Sequence, residues 1–140
     1  QTFIDFYNKL TGTLYMAMIA VAAISMLIGG IVIMNIMLVA VTERIGEIGL
    51  RKAVGARRRD ILIQFLIESS SISAVGGMIG ITLGFLFAKI IAALTSLPAA
   101  LEPWSVVLAL TLSSSVGLFF GIFPANRAAK LDPVVALRSE

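Results

Sequence analysis

The residues best able to do chemistry are concentrated between Thr42 and Asp60, where six basic and three acidic side chains stand together. The chain contains neither cysteine nor histidine, which excludes thiolate chemistry and removes the commonest general base and metal ligand. It also has no glycine-rich phosphate loop ending in Gly-Lys-Ser/Thr, so it does not bind ATP by that route. We therefore expect no catalytic site and no metal site, and we expect the charged segment to act by contacting partners.

The segment from Thr42 to Gly55 has the pattern of a short helix with its own start and stop. Thr42 is a suitable N-cap, and Glu43 falls in the first turn, where the helix dipole favours an anion. Glu47 and Arg51 are four residues apart in the favourable order, and Gly55 suits a left-handed C-terminal position. The apolar and small residues form two strips: Ile45, Ile48 and Gly49 in one, and Leu50, Ala53 and Val54 in the other. We therefore expect this helix to contact the membrane and a protein partner at the same time.

Three arginines, Arg57, Arg58 and Arg59, follow at the start of the next apolar block. Cations oppose the dipole at a helix N-terminus, so these residues do not serve local helix stability. Attraction to anionic headgroups, at about 1 kcal/mol per basic residue, explains them better. Because the run lies at a membrane boundary, we expect it to anchor the chain to membrane lipids and not to bind nucleic acid.

Long apolar blocks surround this segment, since 59% of the residues are hydrophobic and the mean hydropathy is +1.01. Residues 10–42 contain no charge, and as a helix they extend about 50 Å against about 30 Å of membrane hydrocarbon. Further blocks cover residues 61–94 and 103–123, and the last opens with Pro103 and Trp104, which suit a helix start at a membrane interface. The sequence predicts an all-α, helical membrane protein with three transmembrane helices, a short cytoplasmic helix and a short cytoplasmic tail.

The basic residues predict the orientation of these spans. Nine of the eleven lie either between Thr42 and Asp60 or after Pro124. By the positive-inside rule, both segments face the cytoplasm and the N-terminus lies outside.

Glycines recur at four-residue spacing in the second and third blocks: Gly76, Gly80 and Gly84 in one, Gly117 and Gly121 in the other. This spacing puts small residues on one helix face and lets helices approach closely in lipid. Ordinary packing within the chain and a dimer interface or sliding surface both remain open.

Two polar residues lie within or beside the apolar blocks. An ionisable residue near membrane depth, such as Glu68, is a functional candidate by default. We favour a headgroup position for it, because the sequence offers no obvious partner in another span. Asn35 is expected to form a hydrogen bond between helices.

Two stretches, Met34–Glu68 and Pro124–Arg138, closely resemble motifs of the MacB/FtsX-like ABC transporter permease family, and they are most similar to its MacB branch. The resemblance covers nearly the whole chain. It implies a location in the bacterial inner (cytoplasmic) membrane and the last three spans of a four-span permease. The implied segments are the end of a missing periplasmic domain and its stalk at 1–10, a transmembrane helix at 11–41, a cytoplasmic coupling helix and loop at 42–60, a transmembrane helix at 61–94, a periplasmic turn at 95–102, a transmembrane helix at 103–123 and a cytoplasmic tail at 124–140.

The resemblance also implies a function and partners. It implies a permease module of an ATP-driven transporter that relays motion of nucleotide-binding domains to the periplasm (mechanotransmission) for export or efflux. The expected partners are an ABC nucleotide-binding domain that holds ATP and magnesium, a second permease copy, a periplasmic adaptor, an outer-membrane channel and membrane lipids. The residues that match the family's ATPase-coupling helix are Glu43, Arg44, Glu47, Ile48, Gly49, Arg51, Lys52, Gly55 and Ala56. Two alternatives within the family are an FtsX-like signalling module that regulates cell-wall hydrolases and LolC/E-like lipoprotein extraction.

Overall fold

The computed structural model describes residues 2–95, 102–132 and 136. These residues form four helices and no strand: α1 (Thr2–Glu43), α2 (Ile45–Ala53), α3 (Arg58–Thr95) and α4 (Pro103–Lys130). Among them, α1, α3 and α4 are long and apolar enough to cross a membrane. The predicted fold class, an all-α membrane protein with three transmembrane helices, is confirmed.

α1 is the longest helix, and its 42 residues extend about 63 Å at 1.5 Å per residue, about twice the hydrocarbon thickness. Residues 2–10, predicted to end a preceding domain, are helical and continuous with the predicted span. Apart from the half-buried Thr11, residues 2–29 are exposed, and the first buried position is Gly30. The N-terminal two-thirds of α1 therefore extends away from the rest of the described chain.

α3 and α4 pack along each other and are joined by a reciprocal pair of hydrogen bonds. The Ser73 hydroxyl donates to the Ser113 carbonyl, and the Ser113 hydroxyl donates to the Ser73 carbonyl at 2.6 Å. Such bonds between helices satisfy polar groups that lipid cannot. α4 continues through Pro124, where the cytoplasmic tail was predicted to begin, and ends at Lys130. The predicted turn at 95–102 and the end of the tail lie mostly outside the described residues.

All four helices meet in one buried group of apolar side chains, which we call the junction cluster. Its members are Met37 and Val41 of α1, Ile48 of α2, Ile61 and Phe65 of α3, and Ala125, Ala128 and Ala129 of α4. Away from the cluster, α1 diverges from the α3–α4 pair. The divergence leaves a largely apolar cavity of about 800 Å³, bordered by Gly29 and Val32 of α1, Gly76 and Gly80 of α3, and Leu112 and Val116 of α4.

Candidate functional site

α2 follows α1 after a single residue, Arg44, whose φ of −106° and ψ of 20° break the helix. The prediction that Thr42 caps α2 is wrong, because α1 continues to Glu43 and the Thr42 hydroxyl donates to the Val39 carbonyl inside α1. For the same reason Glu43 does not lie in the first turn of α2. The acidic residue of that turn is Glu47.

α2 ends in a turn that depends on Gly55. Its φ of +108° lies in the left-handed region, which side chains other than glycine adopt only with strain. The Gly55 N–H donates to the Lys52 carbonyl at 3.1 Å, and the Ala56 N–H donates to the Arg51 carbonyl at 3.0 Å. This pair of bonds is a Schellman motif, which satisfies carbonyls at the end of a helix. The predicted left-handed C-terminal role of Gly55 is confirmed.

The two apolar strips of α2 have different environments. Ile48 is only 1% exposed inside the junction cluster, and Gly49 beside it is also buried. On the other side, Leu50 and Val54 are 57% and 81% exposed. Leu50 and Val54 are four residues apart and so form one contiguous apolar patch on this face, which makes the outer strip the candidate contact surface of α2.

Lys52 ties α2 to the end of α4. Its ammonium donates to the Ala129 carbonyl at 2.5 Å and to the Leu131 carbonyl at 2.7 Å. The last carbonyls of a helix lack intrahelical partners and carry partial negative charge, so a cation is favourable there. Burial lowers the pKa of Lys52, the positive charge of Arg58 lowers it further, and the negative charge of Asp132 opposes both effects.

Two arginines tie the same region to α3. Arg44 Nη1 lies 3.2 Å from Glu68 Oε1, so Glu68 is paired, with the residue that links α1 to α2 and not with a residue of another span. Arg51 donates to the Gln64 side chain at 2.8 Å and to Glu47 at 2.6 Å. Glu47 and Arg51 therefore pair as their spacing predicts, and Arg51 also bridges α2 to α3.

The three consecutive arginines are exposed, and Arg58 and Arg59 begin α3. The Asp60 carboxylate accepts a hydrogen bond from the Arg57 N–H at 2.9 Å, which satisfies a free donor at the start of the helix. All three side chains are therefore accessible, and the anchoring of Arg57, Arg58 and Arg59 to lipid stays a prediction.

The glycine repeats divide into two groups. A Cβ added to Gly117 would lie 2.7 Å from the Ser69 carbonyl oxygen, and one added to Gly121 would lie 2.7 Å from the Ser69 Cβ. Both glycines therefore let α4 approach α3 within this chain. Gly76, Gly80 and Gly84 have no such neighbour within 4 Å among the described residues, and their role in a dimer interface or sliding surface stays a prediction.

Sequence reasoning missed several of these contacts. The acceptors of Lys52 are backbone carbonyls, which every residue has, so no residue type marks them. The serine contacts did leave a signal, because Ser69 and Ser73 repeat at the same four-residue spacing as Gly117 and Gly121. The hydrogen bond expected for Asn35 does not form within the described chain, where this side chain is exposed.

The site has the composition of a contact surface. Across residues 2–95 and 102–132, no three acidic side chains are grouped so that they could hold a metal ion. Three of its cations are held by side-chain or carbonyl oxygens of neighbouring segments: Arg44, Arg51 and Lys52. Through these contacts and the junction cluster, α2 and its neighbour Arg44 touch all three long helices.

Comparisons with known proteins identify the family to which this chain is similar. Residues 19–133 match the family described as FtsX-like permease C-terminal. The chain is 51% identical to the macrolide export ATP-binding/permease protein MacB of Bdellovibrio bacteriovorus, over 95% of this chain and 20% of that protein. The MacB of Azoarcus sp. is 52% identical over 98% of this chain and 21% of its own length. An uncharacterized ABC transporter permease of Bacillus subtilis, YknZ, is 48% identical over 95% of this chain and 34% of its length.

The alignments with these relatives cover almost all of this chain, although the chain spans only about a fifth to a third of the relatives' lengths. The family match likewise includes the final part of α1 and all of α2, α3 and α4. The chain is therefore a membrane permease module and belongs to the FtsX-like permease family, within which its relatives include many MacB proteins.

Proposed function

We propose that this chain is the permease module of an ATP-driven transporter of the MacB type. In this proposal it relays motion of nucleotide-binding domains through its spans to the periplasm, for export or efflux. The observation that supports it best is the two-sided environment of α2, with Ile48 buried in the junction cluster and Leu50 and Val54 exposed. The names of its MacB relatives, which combine ATP binding with macrolide export, agree with it.

The contacts of α2 connect the proposed ATPase-docking helix to each of the three long helices. Lys52 leads to the end of α4, while Arg44 and Arg51 lead to α3. α1 is reached directly, because only Arg44 separates it from α2. A displacement of α2 therefore acts on all three long helices at once.

The proposed partner is an ABC nucleotide-binding domain, which supplies the ATP and magnesium. Its docking surface is the outer strip of α2, with Glu43 and Glu47 exposed beside it. A second permease copy, a periplasmic adaptor and an outer-membrane channel complete the proposed assembly. This chain contributes contacts and motion, and the partner domain hydrolyses ATP.

The proposed location is the bacterial inner membrane, with α2 in the cytoplasm and the α3–α4 connection outside. Single cysteines at Arg59→Cys and Glu102→Cys test this orientation, since the chain has no cysteine of its own. A membrane-impermeant maleimide added to intact spheroplasts should label the cysteine at position 102 and spare that at position 59. Labelling of both positions, or of position 59 alone, would contradict the orientation.

The coupling proposal is tested by the double variant Leu50→Glu/Val54→Glu in the assembled transporter. Interface anchors cost about 2 kcal/mol or more when removed, so ATPase stimulation and transport should fall about thirtyfold, with membrane insertion unchanged. Asn126→Glu, on the exposed side of α4, adds a charge at the same end of the bundle and should have little effect. Normal coupling in the double variant would refute docking at this strip.

A further inference from the structure

A pocket of about 270 Å³ opens where the ends of three helices meet. It is lined by Lys52 near the end of α2, Arg58 at the start of α3, residues 130–132 at the end of α4, and Ala56. At about 30 Å³ per water molecule, the pocket has room for about nine waters. That volume accommodates a phosphate group with part of its substituent.

The side chains of this pocket are mainly cationic: Lys52, Arg58 and Lys130 are positive, and Asp132 is negative. Lys52 gives two of its three N–H donors to α4 carbonyls, so one remains. Arg58 and Lys130 are exposed, and neither forms an ion pair or side-chain hydrogen bond with another described residue. The lining side chains therefore comprise three cations against a single anion, which favours an anionic ligand.

We propose that this pocket binds the phosphate ester of an anionic lipid headgroup. The planar guanidinium of Arg58 matches two phosphate oxygens, and the ammonium groups of Lys130 and Lys52 add point charges. Its position favours a lipid over soluble phosphate, because the apolar part of α3 begins at Ile61, three residues after Arg58. A headgroup held here would touch the ends of α2, α3 and α4 together.

The chain itself offers a matched control for this site. Arg57 and Arg59 lie at the same membrane boundary as Arg58 but do not line the pocket. Arg58→Gln/Lys130→Gln and Arg57→Gln/Arg59→Gln therefore remove equal charge from inside and outside it. Native mass spectrometry of the purified protein, titrated with phosphatidylglycerol, measures the affinity of each variant.

The pocket variant should bind phosphatidylglycerol about tenfold more weakly than the control variant, which loses only the diffuse attraction of Arg57 and Arg59 to the headgroup. Equal losses in both variants would overturn the proposal, since they would indicate diffuse attraction to the surface. If the pocket double variant fails to fold, as judged by circular dichroism, the exposed single change Lys130→Gln takes its place. It is expected to lose more affinity than Arg59→Gln, and the reverse order would overturn the site.

Two further ligands separate the possible sources of the phosphate. Phosphatidylcholine carries a compensating cation and should bind the wild-type protein more weakly than phosphatidylglycerol. Inorganic phosphate in excess should leave bound phosphatidylglycerol in place. Displacement by inorganic phosphate would assign the pocket to a soluble anion, and equal binding of phosphatidylcholine would show that charge does not select the ligand; either result overturns the proposal.

Discussion

Replacing Lys52 with methionine tests how much its hydrogen bonds to the end of α4 stabilise the position of α2. Methionine keeps most of the apolar stem of lysine but removes the ammonium, and with it both hydrogen bonds to the end of α4. The Ala129 residue is 3% exposed, so its carbonyl gains little hydration after the change. The variant therefore leaves a buried acceptor without a donor.

The expected cost follows from that loss. A buried acceptor left without a donor costs about 1–3 kcal/mol, and hydrogen bonds to charged groups contribute about 1.5–3 kcal/mol each. Lys52 is only half-buried, and its replacement also removes the desolvation of an ammonium, so we expect about 2 kcal/mol in total. At 1.4 kcal/mol per factor of ten, the population with α2 detached should rise about thirtyfold.

Hydrogen–deuterium exchange of peptides covering α2 measures this change, because local opening sets the exchange rate of its amides. Lys52→Met should accelerate exchange in α2 by about thirtyfold and leave the distant part of α3 unaffected. Arg127→Met removes an exposed cation from the last turn of α4 that does not line the pocket and serves as the control. Unchanged exchange in Lys52→Met, or equal acceleration in the control, would refute the anchoring role.

Three other changes test neighbouring contacts. Gly121→Val should destabilise the α3–α4 pair by about 1–3 kcal/mol through overpacking, since its Cβ would meet Ser69. Gly84→Ala should not destabilise this pair, because a Cβ at position 84 has no neighbour within 4 Å among the described residues. Thermal unfolding in detergent compares the two variants. A double-mutant cycle on Arg44 and Glu68 should give a coupling energy of only about 0.2–1 kcal/mol, because both side chains are partly exposed. Gly55→Ala should cost about 1–2 kcal/mol through its positive φ alone, seen as faster exchange in α2.

Much of the fold could be predicted from the sequence because its signals are local. Apolar blocks at least as long as the membrane hydrocarbon is thick identify the three long helices, and the left-handed end of α2 follows from a glycine at the right position. The two strips of α2 follow from helical periodicity alone. The predicted start of α2 was wrong because a threonine has two common roles near a helix end. Its hydroxyl can cap a new helix, or it can donate to a carbonyl in the preceding turn of the same helix, and Thr42 does the latter.

The contacts of the site were harder to predict because they join residues far apart in sequence. The partners Arg44 and Glu68 are 24 residues apart, and Lys52 reaches carbonyls 77 and 79 residues away. Nothing in the local pattern chooses among the available acceptors. Only the packing of α2 into the junction cluster brings these groups together.

The distribution of packing along the bundle has a mechanical consequence for the proposed function. The junction cluster and the polar anchors all lie at the α2 end, whereas α1 separates from its neighbours beyond Gly30. Its 28 residues from Thr2 to Gly29 extend about 42 Å, so a tilt of about 10° at the Gly29–Gly30 pair moves Thr2 by about 7 Å. Gly29 borders the cavity where α1 diverges, and Gly30 lies against the Phe120 ring of α4, so the packed part of α1 begins at this pair. If α2 moves as the proposed function requires, its displacement would therefore be amplified along α1 and not along α3 or α4, which pack against each other.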